Sequence, residues 1–437
     1  MLVENVTTKN FPARTVALLL TQASSVLAPR TGHHSNNMRR VLIIVSIVVV
    51  LAGVGAAVYF YFFNKKAAVE VAPTGGTTLP TAATAQPSTS SGSGETSTAQ
   101  STPSPTTVSS RLVKITDGPV ALGESVTSVP GTASSSAVTT VRYIERQSGN
   151  VFSYTSPGGT LTRTSNRTVP GVQSASWLPD GSLAFVRYLS GADFSTINTY
   201  GLKADGSDGF FLSQNLAGVA AASTSILTLA SGVNGSVASV ARTDGTSARD
   251  VFTTPLTNIR VYFAGKNQYL VVPKPSATLT GAAFLVDGSG NFVRVAGPAR
   301  GLNALPSPSG KWALVSLTRG TDLALELIDT STGEVLPLPV STIVDKCVWA
   351  ADDSAVYCGI PTDPPTAAYP DDWYQGAVSF SDRIWKIQVA GRYAQLVLDF
   401  TKETSLTLDA EALSVDPLTT TLVFVNKRDG SLWSYSL

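Results

Sequence analysis

The feature that most restricts this chain is a recurrence at 43 residues. Residues 176–186 read SWLPDGSLAFV: an apolar stretch ending at Trp177, a turn at Pro179-Asp180-Gly181, then alternation through Leu183 and Phe185. Steps of 43 from Gly181 land on Thr224, Asn267, Gly310 and Asp353. Each is a turn before an apolar run, namely 226–229, 269–272, 312–315 and 355–357. A period of this length, held over four intervals, belongs to repeats of four strands arranged around a ring.

Each unit supplies a second hairpin, whose first strands begin near Val151, Ile197, Val237, Ala283, Leu325, Ile384 and Leu432. Seven such strands are present, but the chain stops at Leu437 before the seventh can return. The missing strand is found at the other end. Residues 111–115 (RLVKI) resemble 291–295 (NFVRV), and both run into Gly-Pro. The expected fold class is therefore all-β: a seven-bladed β-propeller over 111–437, with the ring closed by an N-terminal strand at 111–116.

The segment SWLPDGSLAFV, and more faintly LPSPSGKWALV at 305–315, resembles the WD40-like repeat of TolB-type propellers. That resemblance implies a binding or scaffold domain and specifies architecture, not chemistry. The domain that accompanies the propeller in TolB has no counterpart here; an anchor takes its place, so the chain resembles single-pass bacterial proteins carrying an extracytoplasmic propeller.

The anchor is residues 41–63, VLIIVSIVVVLAGVGAAVYFYFF, 23 residues without charge or proline. A helix of that length is about 34 Å long, enough to cross a hydrocarbon core of about 30 Å. The run Val45 to Val50 favours a strand in water, but in lipid every backbone group must be satisfied internally, which enforces a helix. Arg30, Arg39 and Arg40 precede it and Lys65 and Lys66 follow, a thin bias toward a cytoplasmic N-terminus. Residues 1–40 are expected to be a disordered cytoplasmic tail, and Met38-Arg39-Arg40 would itself make a start for a signal anchor. Residues 64–110, dominated by Ala, Thr, Ser, Pro, Gly and Gln, offer too little apolar area to fold and read as a disordered spacer. The expected location is a bacterial cytoplasmic membrane, single-pass, with the C-terminal domain extracytoplasmic.

Charge and histidine content exclude several functions. Only 14% of residues are charged, with a formal net charge of +1. Seven Lys and Arg and three acids precede residue 111, leaving 24 bases and 27 acids in the propeller. No nucleic-acid partner is expected from that balance. No histidine follows His34, which removes Ser-His-Asp and Cys-His catalysis and His-based zinc sites. No Gly-rich phosphate loop with a following Lys occurs. The Asp-Gly turns at 205–209 and 287–291 lack the distal Glu of a calcium loop and read as hairpin turns. No cofactor is expected.

The two cysteines, Cys347 and Cys358, are symmetric about a turn at Asp352-Asp353, which places them opposite each other in a hairpin. An extracytoplasmic compartment permits a disulfide there, with two reduced buried thiols as the alternative. One unit is longer than the rest. Residues 361–382 intervene between the first and second hairpins of the sixth blade and carry Pro361, Pro364, Pro365 and Pro370. Their prolines limit the entropy lost on binding, and Tyr369, Trp373 and Tyr374 are side chains typical of interface hot spots. Asp371 and Asp372 would receive donors from a sugar, a peptide or a cationic partner. These five residues form the expected contact site; alternatively, the aromatics fold back and cap the blade. The expected function is a non-enzymatic binding or scaffold module presenting a propeller face to an envelope protein or glycan. The alternative is a histidine-free carbohydrate-active enzyme working through carboxylates.

Overall fold

The computed structural model describes residues 111–132 and 135–437. Strand β1 (Leu112–Lys114) comes first in the chain. Blade 1 is β2 (Ser125–Val129), β3 (Val138–Ile144), β4 (Val151–Ser156) and β5 (Thr160–Arg163). Blade 2 is β6 (Val172–Trp177), β7 (Leu183–Ser190), β8 (Thr196–Lys203) and β9 (Phe210–Phe211). Blade 3 is β10 (Leu216–Ala221), β11 (Ser225–Gly232), β12 (Gly235–Arg242) and β13 (Arg249–Thr254). Blade 4 is β14 (Ile259–Phe263), β15 (Gln268–Pro273), β16 (Thr280–Asp287) and β17 (Phe292–Arg300). Blade 5 is β18 (Asn303–Pro306), β19 (Trp312–Arg319), β20 (Asp322–Asp329) and β21 (Val335–Pro337). Blade 6 is β22 (Cys347–Trp349), β23 (Ala355–Pro361), β24 (Asp382–Gln388) and β25 (Tyr393–Asp399). Blade 7 is β26 (Ala410–Val415), β27 (Thr421–Asn426) and β28 (Leu432–Ser436), with β1 as its fourth strand.

All seven sheets are antiparallel and four-stranded. The first strand of each blade lies at the sheet edge nearest the ring axis; β6, β10, β14 and β18 contact one another in succession, and β26 contacts both β22 and β2. The second strands are sandwiched between neighbouring blades and are buried on both faces. All six residues of β27 and all seven of β23 are buried. This explains why those strands read as continuous apolar runs and not as alternation. Between blades 6 and 7 the packing joins Tyr357, Ile384, Phe400, Phe424 and Trp433. Each large side chain buried in this way contributes about 1.5–3 kcal/mol.

In blades 2 to 5 the turns between third and fourth strands share one chemistry. The carboxylates of Asp205, Asp244, Asp287 and Asp329 accept the N–H two residues on, from Ser207, Thr246, Ser289 and Ser331, at 2.8–2.9 Å. Asp180, in the turn after β6, does the same with Ser182 at 2.9 Å. Side-chain bonds from Thr246, Asn291 and Ser331 to Asp244, Asp287 and Asp329, together with these N–H bonds, which come first at Asp180 and Asp205, hold the carboxyls below their usual range. The side chains serve their own turns. Among the described residues, no three His, Cys, Asp or Glu converge to hold a metal.

Two expectations need correction or restriction. The ring is not closed by hydrogen bonds through an N-terminal strand. β1 pairs antiparallel with β28 (Leu112↔Tyr435, Lys114↔Trp433), but only as the outermost strand of blade 7, and every sheet remains open with two edges. The reason is geometric: backbone donors and acceptors point within a sheet, while neighbouring blades meet face to face, so side chains hold the circle together. At the seam between blades 7 and 1, Val423 and Val425 pack with Val126, Val141 and Tyr143. The apolar run 41–63, with the tail 1–40 and spacer 64–110, lies outside the described residues. Among the described residues, no helix is long and apolar enough to cross a membrane.

Cys347 and Cys358 are direct partners in the β22–β23 register, with Cα atoms 4.1 Å apart, and form a disulfide.

Candidate functional site at the blade 6 insertion

The insertion joins β23 to β24, and therefore emerges at the end of the propeller where the links between blades also lie. It contains one short helix, α1 (Asp371–Tyr374). Its polar side chains are engaged on several blades. Asp371 accepts the N–H of Ala277 at 3.1 Å and the hydroxyl of Ser276 at 3.4 Å, both in blade 4. Asp372 accepts the N–H of Ala368 at 2.8 Å and stabilises its own loop. Tyr374 donates its hydroxyl to Asp345, which also receives Asn303 Nδ2 at 2.9 Å and Arg260 at 2.7 Å. Four segments of chain thus meet at the Asp345 carboxylate.

The aromatic anchors are deep. Tyr369 is 5% exposed and donates its hydroxyl to the Pro365 carbonyl. Trp373 is 2% exposed, stacks with Phe380 at 6.2 Å between centroids, and donates its indole N–H to Asp409 at 3.1 Å. Lys427 and Lys346 approach the Trp373 ring at 4.6 and 5.0 Å. Of the five residues singled out in the sequence, Tyr369 and Trp373 point inward, and Asp371, Asp372 and Tyr374 hold protein partners. Together they fix the insertion to blades 4, 5 and 7.

Beneath Trp373 lies a polar cluster that sequence reading did not find. Lys346 is fully buried; its ammonium bonds to Asp382 at 2.8 Å, to Asp409, and to the Ala410 carbonyl at 2.8 Å. Asp409 also accepts the Phe380 N–H at 2.9 Å. Burial pushes the Asp382 carboxyl up to about 6; Lys346 pulls it back and the Asp409 charge adds to the rise. Burial works against the Arg260 charge, yet Asp345 holds its pKa above the ordinary value, while burial followed by Asp345 raises Tyr374. The sequence carried one signal: Asp345-Lys346, a charged pair abutting the apolar Cys-Val-Trp strand.

A further buried acid lies nearer the axis. Glu124, immediately before β2, is 7% exposed, and neither carboxylate oxygen has a hydrogen-bond partner of acceptable geometry. Burial pushes its carboxyl up to about 8, an effect slightly offset by the nearby Ser414 hydroxyl and increased by the charge of Glu411. Glu411 itself is raised, chiefly by burial, with Lys427 opposing at 3.7 Å.

Between the insertion and the outer parts of blades 5 and 6 runs a groove of about 430 Å³, lined by Asp322, Val340, Pro361, Pro364, Thr366 and Tyr369 among others.

No protein-family model and no curated protein matches this chain. Solved structures align with it at low identity. An oligogalacturonate lyase in complex with manganese is 10% identical, with TM-score 0.48, over 74% of this chain and 98% of that one. An oligogalacturonate lyase from Vibrio parahaemolyticus gives 11% and 0.48 over 74% and 98%. TolB from Acinetobacter baumannii gives 11% and 0.40 over 72% and 80%. The chain is a seven-bladed β-propeller. These likenesses assign it no chemistry.

Proposed function

We propose that this chain is a non-enzymatic binding or scaffold module, anchored in a bacterial cytoplasmic membrane by residues 41–63, with its propeller on the extracytoplasmic side. It presents the blade 6 insertion to an envelope protein or glycan. The observation carrying this reading is the way the insertion is held. Asp371, Trp373 and Tyr374 bind three other blades from beneath, so the exposed residues Asp363, Pro364, Pro365, Thr366 and Gln375 stand on a fixed base. A surface ordered before binding loses less entropy on contact. The Cys347–Cys358 disulfide is in keeping with an oxidising compartment.

The alternative, a carbohydrate-active enzyme, needs two carboxylates free to face substrate. Asp371 and Asp372 both accept backbone N–H groups, which does not favour it. The test is affinity capture from envelope extracts using the full chain, beside an Asp363→Lys/Thr366→Lys/Gln375→Lys variant. That variant alters the exposed rim and leaves every anchor in place. Loss of the captured partner with unchanged thermal unfolding is the expected result. Equal recovery by the folded variant would remove the insertion as contact site.

A further inference from the structure

The two ends of the propeller carry different chemistry. One end holds the acidic turns, including Asp180, Asp205, Asp287 and Asp329. At the other end, blades 3 and 4 contribute no acid of their own, and Asp371 of the insertion, which reaches 274–279, is taken up by Ser276 and Ala277. Between residues 209 and 321 the only acids are Asp244, Asp250 and Asp287. Asp244 and Asp287 occupy turns at the acidic end, and Asp250, at the start of β13, accepts the Ser239 hydroxyl at 2.7 Å beside one of them. The connections at the opposite end, 232–235, 255–258 and 274–279, contain Lys274 as their single charge.

Those same connections expose apolar side chains. Val233 is 101% exposed, Leu279 72% and Leu256 43%. Val233 sits at the tip of a two-residue hairpin, where β11 and β12 continue to Gly232↔Gly235, past the last partner of β10 at Ala230. Hollows of about 750 and 380 Å³ flank that hairpin, lined by Thr253–Pro255 on one side and by Thr257, Asn258 and Lys274 on the other. Phe194, 66% exposed, extends the series into blade 2, beside Asp193, whose carboxylate is turned onto Ser195.

We propose that this apolar-tipped end of blades 3 and 4, whose own connections carry no acid, docks on the surface of a lipid bilayer. The inference rests on the membrane anchor of the preceding reading. Separated apolar tips with one lysine, beside which the Asp371 and Asp193 carboxylates are taken up by Ser276, Ala277 and Ser195, suit a headgroup layer, which admits single side chains and carries anionic lipid. A protein partner calls for one continuous patch, and these tips stand apart with hollows between them. The 47 residues between 63 and 111 are enough chain for any side of the propeller to turn toward the membrane. Tethering raises the local concentration of surface to the order of millimolar, so weak lipid contact suffices.

The test uses the full chain in proteoliposomes of phosphatidylcholine with and without phosphatidylglycerol. Both native cysteines are bonded to each other, so an introduced thiol labels singly. Val233→Cys and Ser289→Cys, the latter in the acidic turn of blade 4, each carry an environment-sensitive fluorophore. The label at 233 is expected to shift to the blue and be quenched by brominated lipid, more so with phosphatidylglycerol, while the label at 289 stays unaffected. A Leu256→Asp/Leu279→Asp background should reverse the shift at 233. Equal signals from both labels in vesicles that float with the protein overturn the docking surface alone. A blue shift at 233 without bromolipid quenching assigns the face to protein contact and also overturns it. Failure of the chain to float with vesicles removes the anchor, and the docking reading with it.

Discussion

Replacing Glu124 by Gln should stabilise the protein at neutral and alkaline pH and do nothing of the kind in acid. Burial raises this carboxyl from its ordinary 4.5 to about 8, the folded state favouring the neutral form. Below pH 4.5 the group is protonated whether the chain is folded or not, and it costs nothing. Between 4.5 and 8 the unfolded chain releases the proton while the folded one keeps it, so stability falls as pH rises. At about 1.4 kcal/mol per pH unit, that window corresponds to an upper value of about 5 kcal/mol above pH 8 and about 3 kcal/mol at pH 7. Water entry and relaxation reduce the figure, and a buried Gln amide with unmet donors takes back about 1–3 kcal/mol. The expected pattern is thus a variant equal to or slightly weaker than the parent at pH 4.5, gaining on it steadily to pH 8 and level thereafter. Urea unfolding from pH 4.5 to 9 measures it, and all six tryptophans lie in the propeller to report it. A difference that stays flat with pH would refute the reasoning, because an unpartnered buried acid must contribute a slope.

Three further outcomes follow from the site. Lys346→Met leaves Asp382 and Asp409 buried without their shared cation and should cost about 3–5 kcal/mol in denaturant unfolding; adding Asp382→Asn and Asp409→Asn should recover part, and a loss under about 1 kcal/mol for the single variant would contradict the triad. Alkylation without reductant should leave the intact mass unchanged, whereas Cys347→Ser/Cys358→Ser should lower stability by about 3 kcal/mol or less, since the loop closed is only 11 residues. Trp373→Phe keeps the stacking on Phe380 but removes the donor to Asp409, and should cost about 1–3 kcal/mol by thermal or urea unfolding; no change would mean that the indole N–H is replaceable by water.

How far the sequence could be read depended on the range of each interaction. The 43-residue period was visible because strands such as β23 and β27 are buried on both faces and must be apolar throughout. The Asp-Gly turns at 205–209 and 287–291 were visible because their bonds close within two residues. The insertion was visible as extra length. What its aromatics do was not, since a tryptophan in a loop is the same letter as anchor or as platform. The partner that decides it, Asp409, is 36 residues further on, and the Lys346 that completes the cluster lies 63 residues before that aspartate. Such pairs become neighbours only when two blades are set side by side.

The same limit governed the closing of the ring. The likeness of 111–115 to 291–295 identifies an outer strand by its composition, but composition says nothing of what holds blade 7 to blade 1. That seam consists of valines and tyrosines in contact, a Thr421–Thr139 hydroxyl pair at 3.3 Å, and Glu124 near Ser414 and Glu411. Apolar packing there is indifferent to pH. Glu124 is not, so the first and last blades meet where the fold keeps a carboxyl neutral. Weakening as pH rises from 4.5 to 8 should therefore begin at this seam, and amide protection in β2 and β26 should fall over that range before protection in β14 and β18, across the ring. A uniform fall in protection around all seven blades would show that the seam opens only with the whole propeller.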